Sequence, residues 1–209
     1  FSCLKFNPRL GQSLVSALSP AMSSSLRGHL LIAVPKLRDP NFFKSVVLLV
    51  EHGGDGAMGL IVNRPSSITV ASALQGHFQL SSNSDLVFTG GPVEPVALFL
   101  IHNCGELDPE ESPVVDGLYM GSSAAAFERV LESQEDCEQP IEFRIYAGCA
   151  GWGPGQLEGE IQRGDWLTLP ASREMVLADD PYEVWDQARL AVQAAHRLLE
   201  LDCDHPELN

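Results

Sequence analysis

"SVVLLVEHGGDGAMGLIVN", residues 45–63, carries the reading that sets the fold. Its first part, "SVVLLVEH" (45–52), is rich in β-branched side chains, which suit a pleated, half-buried surface. "GGDG" (53–56) supplies residues that tolerate positive φ, and "AMGLIVN" (57–63) resumes the strand pattern. Two such runs joined by a tight turn predict a β-hairpin. Antiparallel pairing through short turns is therefore the starting point.

Working outward, "HLLIAVP" (29–35) is a short apolar run that predicts a buried strand. "DPNF" (39–42) is a turn signal, with Asp39 as its cap and Pro40 presetting φ. In "RPSSITVASALQ" (64–75), Ile68, Ala71, Ala73 and Leu74 fit a short helix entered from the serine pair. "DLVFTGGPVEPVALFLIHN" (85–103) predicts strand, glycine turn, strand, with Pro92 and Pro95 placing the turn at an edge or connector. "DGLYMG" (116–121) predicts a further strand, and Ser122 or Ser123 caps a helix through Ala126, Phe127, Val130 and Leu131.

"IEFRIYAG" (141–148) alternates Ile141, Phe143, Ile145 and Ala147 against Glu142, Arg144, Tyr146 and Gly148, the pattern of a half-buried strand. It runs into "GCAGWGPGQLEGE" (148–160), after which Pro154 suits the first turn of a helix and Leu157 pairs with Ile161. "DWLTLP" (165–170) predicts a strand. "DPYE" (180–183) starts a helix, with Asp180 at the N-cap, Pro181 next and Glu183 completing a capping box. That helix is expected to reach about Leu201 through Val184, Ala188, Ala191, Ala195 and Leu198. Strands joined by short turns, with helices inserted singly, predict an α+β fold in a single domain.

The chain has 209 residues, 44% hydrophobic and 20% charged, which is ordinary globular composition. Its apolar runs are far shorter than a membrane span. The net charge is −15, with no cluster of Lys or Arg, which opposes direct contact with a nucleic-acid backbone. Five scattered cysteines with no CxxC pair point to a reducing compartment, and hence to the cytoplasm. Residues 1–25 contain Lys5 and Arg9 but no acid, and are expected to be disordered or an upstream extension, with Met22 as the natural start. The domain is expected over 26–203, with 204–209 as a tail.

No P-loop, GxSxG elbow, HExxH or kinase signature is present. Glu51 and His52, with His29 or His102 brought in from a neighbouring strand, form one candidate site, although adjacent strand residues point to opposite faces. Asn63, Arg64 and Pro65 form a second: Arg64 suits a fork contact to a carboxylate or phosphate, or else an internal salt bridge. Gly90, Gly91 and Pro92 read as a turn rather than an anion nest. Cys149 lies in the glycine run without a visible base, as an inert and partly buried thiol, and Trp152 is a packing anchor. No catalytic set, cofactor or metal is expected.

Several of these stretches together resemble the AlgH-like (YqgE) family of bacterial proteins. They are "GHLLIAVPKLRDPNFFKSVVLLVEHGGDGAMGLIVNRP" (28–65), "FTGGPV" (88–93), "YAGCAGWGPGQLEGEI" (146–161), "WLTLPA" (166–171) and "PYEVW" (181–185), in matching order over about 27–200. Cys149 stands where that family often has tyrosine, and residues 1–21 lie outside the pattern. The resemblance implies a bifurcated, mainly antiparallel sheet, partly closed into a small barrel and surrounded by helices. It also implies a role in transcriptional regulation, which the charge directs to an indirect route through a protein or small molecule.

The expected function is thus a non-enzymatic binding or regulatory protein of the cytoplasm, with an unidentified protein or small molecule as partner. Its expected surface combines Asp39, Asn41 and Phe42 with Glu51, His52, Asn63, Arg64 and Pro65, then Gly90, Gly91 and Pro92, and finally Trp152, Gly153 and Gln156. The rival is an enzyme acting on a small molecule through Glu51, His52 and Arg64.

Overall fold

The computed structural model describes residues 25–75, 85–107, 111–121, 123–136 and 141–202. The expectations for residues 1–24, for Ser122 and for the tail from 203 lie outside these residues. Nine strands form one mixed sheet. The expected hairpin is its centre: β2 (Val46–Gly53) pairs antiparallel with β3 (Gly56–Ile61), in register from Val47–Ile61 to Gly53–Gly56, with a bulge between Leu49 and Glu51. Beyond β2 lie β1 (His29–Ala33) and then β9 (Trp166–Pro170), each antiparallel to its neighbour.

The other arm is built on β8 (Phe143–Trp152). The last part of β8 pairs with β3, Gly59 facing Ala150 and Ala57 facing Trp152. Its earlier part takes β5 (Leu86–Thr89) in parallel and β6 (Val93–His102) antiparallel. Two edge strands complete the arm, β4 (Pro65–Thr69) against β5 and β7 (Tyr119–Gly121) against β6. The sheet is therefore bifurcated at β8. It remains open: among the described residues, the terminal strands β4 and β9 do not pair with each other.

The helices cover both faces, in three apolar clusters. α5 (Val184–Asp202) packs Val184, Trp185, Ala188 and Val192 on one face of the first arm, against Leu30, Ile32, Val46 and Leu48. α3 (Gln156–Gln162) covers the opposite face, where Leu31, Val47, Leu49 and Ile61 meet Leu157, Trp152 and Trp166. α1 (Val70–Ala73) and α2 (Ala124–Asp136) cover the second arm, through Val70, Ala126, Phe127 and Val130. Successive residues of β1 and β2 enter opposite clusters, so strands buried on both sides read as continuous apolar runs.

Four local expectations are corrected. Residues 65–69 form β4 rather than helix, and Thr69, not the serine pair, caps the single turn α1. Residues 141–148 are not half-buried on one face: Ile145 and Tyr146 are both buried, in different clusters, because α2 on one side and α4 (Arg173–Val176) with α5 on the other each cover the strand. Pro154 precedes α3, whose N-cap is Gly155 in the left-handed region at φ 72°. In α5, Ala195 is exposed and Val192 takes the buried position, the helix starting at Val184 after a turn. Asp180 accepts from the Tyr182 amide in that turn at 2.9 Å.

Candidate functional site

The glycine run of β8 meets its own fold rather than a ligand. Gly90 donates to Ala147 O and its carbonyl accepts from the Ile61 amide, both at 2.8 Å, where β8 passes from the second arm to the first. A Cβ on Gly90 would stand 2.2 Å from Gly148 O, and one on Gly91 2.2 Å from the carbonyl carbon of Cys149. Gly148 itself sits at φ 72°. The branch of the sheet needs backbone against backbone there, so three glycines are used.

Trp152 is the anchor the sequence predicts, and it has a partner the sequence did not reveal. Glu160 Oε2 accepts from both Trp152 Nε1 and Trp166 Nε1, each at 2.8 Å. Phe42 stacks on Trp152 with centroids 6.1 Å apart and meets Trp166 edge-on at 5.4 Å. Gln156 accepts from the Gly153 amide and donates to Glu160 Oε1, at 3.1 and 3.0 Å. The two indole donors share one carboxylate.

"NRP" is a latch on the 39–45 loop. Asn63 accepts from the Val46 amide and donates to Lys44 O, at 2.8 and 2.9 Å, holding Lys44 at φ 51°. The Arg64 guanidinium donates to Asn41 O and Phe43 O, at 2.7 and 3.2 Å. Neither an ion pair nor a ligand is needed to occupy that fork; burial lowers its pKa. Asp39 accepts from the Asn41 amide at 2.8 Å.

The structure does not bring Glu51, His52 and Arg64 together. His52 and Arg64 stand at opposite ends of the hairpin, roughly 20 Å apart at about 3.3 Å per residue. His52 Nδ1 accepts from the Leu26 amide at 3.0 Å, so the proton is on Nε2, which lies 3.0 Å from Glu158 Oε1. Both ring nitrogens are bonded within the fold. Glu51 lines a separate hollow of about 220 Å³ with Arg27 and Glu111. Burial raises its pKa, Arg27 opposes and Glu111 adds to the rise. Among the described residues, no group of three or more His, Cys, Asp or Glu side chains is placed to hold a metal. Cys149 is buried, and burial, then Glu94 and Glu51, push its thiol up to about 11, which fits the inert reading.

A cleft that the sequence did not reveal lies at the start of β8. A cleft of about 390 Å³ is walled by Pro65, Val70, Leu86, Phe88, Phe143, Ile145, Pro181 and Tyr182, with Asp85, Arg144 and Asp179 as its charged groups. Of the expected surface residues, Pro65 alone lines it. The Arg144 guanidinium packs over Phe88, 4.2 Å from the ring centroid. It donates to Val176 O and Ala178 O at 2.8 Å and to Val62 O at 3.4 Å. Three such bonds leave at least two of its five N–H groups unused. Among the described residues, Arg144 has no ion-pair partner, and Asp179 has neither ion pair nor hydrogen bond. The sole sequence signal was an arginine inside an otherwise apolar strand. The lining comes from four stretches of chain that only the fold gathers.

Comparison with known proteins agrees with this architecture. Residues 30–196 match the AlgH-like family. The chain belongs to that family. A UPF0301 protein of Stenotrophomonas maltophilia is 38% identical over 173 residues, covering 81% of this chain and 90% of that one. A Myxococcus xanthus member is 38% identical over 165 residues, covering 78% and 88%. The solution structure of the AlgH protein from Pseudomonas aeruginosa superimposes with a TM-score of 0.64 at 32% identity, covering 91% of this chain and all of that one. A Corynebacterium diphtheriae protein of 24% identity shares the fold, with the same TM-score of 0.64. In this AlgH-like chain, as described, no helix is long and apolar enough to cross a membrane.

Proposed function

We propose that the protein is a non-catalytic binding protein of the cytoplasm, and that it takes a small molecule in the cleft at the start of β8. One observation carries this reading: a guanidinium and a carboxylate share an apolar-walled cleft of about 390 Å³ without pairing. That volume is within the usual range for small-molecule sites, and convergent polar groups in an apolar wall are their usual chemistry. The Asp39, Asn63 and Arg64 side chains are already bonded within the fold, so their role in this reading is to hold the scaffold. Any regulatory effect on transcription is then indirect, because a chain of net charge −15 repels a phosphate backbone. A second protein reads the loaded or empty state.

The test is a screen of amino acids, nucleotides, sugars and organic acids for thermal stabilisation, with isotope-labelled protein to locate each response. Ligand at a hundred times its dissociation constant adds about 2.7 kcal/mol of stability. The expected result is stabilisation with shifts at Phe88, Arg144 and Tyr182. Absence of any compound that shifts these residues overturns the reading.

A further inference from the structure

We propose that the cleft selects a small zwitterion with an apolar side chain, an α-amino acid or a close relative. The inference rests on the cleft being a ligand site and adds the class of ligand. Arg144 and Asp179 line one cleft as opposite charges, yet each is without an ionic partner among the described residues. A ligand that fills the space removes water from both charges, and each desolvated charge then needs a counter-charge. A purely anionic ligand answers Arg144 but faces Asp179, and Asp85 on the same wall, which has partners within the fold. A purely cationic ligand answers Asp179 and leaves the guanidinium without an anion. A carboxylate and an ammonium on one molecule answer both.

The geometry of Arg144 suits the carboxylate. Its position is set by the carbonyls of Val176, Ala178 and Val62 and by the Phe88 ring, so it is held before ligand arrives. At least two N–H groups remain, the number a forked carboxylate contact uses. Phe88 and Tyr182 are aromatic walls on the same cleft, which suits an apolar side chain.

The experiment is calorimetric titration of the full chain with L-phenylalanine, phenethylamine (no carboxylate) and 3-phenylpropionate (no ammonium). L-phenylalanine is expected to bind, and each analogue at least tenfold more weakly. Asp179→Asn is expected to weaken L-phenylalanine tenfold while leaving 3-phenylpropionate as tight or tighter. Arg144 also holds three carbonyls, so a variant there can fail to fold; the exposed Asp179 is the deciding position. Equal binding of the analogues, or an unchanged affinity in Asp179→Asn, overturns the proposal. So does failure of L-phenylalanine, L-leucine and L-methionine to bind. If compounds of another class still shift Phe88 and Arg144, the zwitterion assignment falls and the cleft remains a ligand site; if none does, both fall.

Discussion

The two ends of β8 place polar groups among aromatic and apolar side chains and treat them oppositely. At Trp152, one carboxylate serves two indoles, and glycine backbones close on each other. At Arg144, a guanidinium keeps unused N–H groups in the same cleft as an aspartate that bonds to nothing described. The first arrangement is complete, so removing a member costs stability. The second is incomplete, so its rim can change with little effect on the fold.

The largest expected effect is at the branch. Gly90→Ala forces a Cβ against Gly148 O, backbone that cannot turn aside, and should cost at least about 3 kcal/mol in urea unfolding. Near-normal stability would show that the branch is looser than the contact implies. Glu160→Ala strands two indole donors and is expected to cost about 2–3 kcal/mol, whereas Glu160→Gln keeps an acceptor and costs about 1. If the two substitutions match, the shared acceptor is not what stabilises the pair.

Alkaline titration separates the same ends by another route. Burial raises the folded pKa of Cys149 from about 9 to about 11 and that of Tyr146 from about 10 to about 12. Both groups favour the protonated form in the fold, so their contribution is full below pH 9 and is lost as pH rises towards 12. Melting temperature should fall across that window, less steeply in Cys149→Ala. Native Cys149 should resist a thiol reagent at pH 8, and rapid labelling of the folded chain there would contradict its burial.

Smaller effects lie nearer the cleft. The buried Tyr146 hydroxyl lies beside Arg144 but outside hydrogen-bond geometry, so Tyr146→Phe should gain about 1 kcal/mol. A loss would mean that the hydroxyl is bonded after all. Asp179→Asn should change stability by less than about 0.5 kcal/mol, since nothing described depends on that carboxylate. A larger loss in the unliganded protein would make Asp179 part of the scaffold and erase the contrast.

Much of the fold was legible because its signals are local. The positive φ of Gly56 at the hairpin, the β-branched runs and the spacing of Val184 and Ala188 each act within a few residues. The failures have local causes too: Thr69 outcompetes the serine pair as a cap, and Ser66–Ile68 join a strand because β5 lies beside them. The polar character of Arg144 and Tyr146 suggested an open face that α4 (Arg173–Val176) and the segment leading to α5 in fact cover.

By itself, then, the sequence determined an α+β chain, its central hairpin, a tight backbone approach around Gly148 and a packing role for Trp152. Only the tertiary structure decided that Glu160 is the acceptor for two tryptophans, that Arg64 is consumed by loop carbonyls, and that Arg144 and Asp179 share a cleft. The reason is physical. Conformational preference is written in neighbouring residues, whereas the partner of a side-chain charge depends on which distant segments the fold brings within reach.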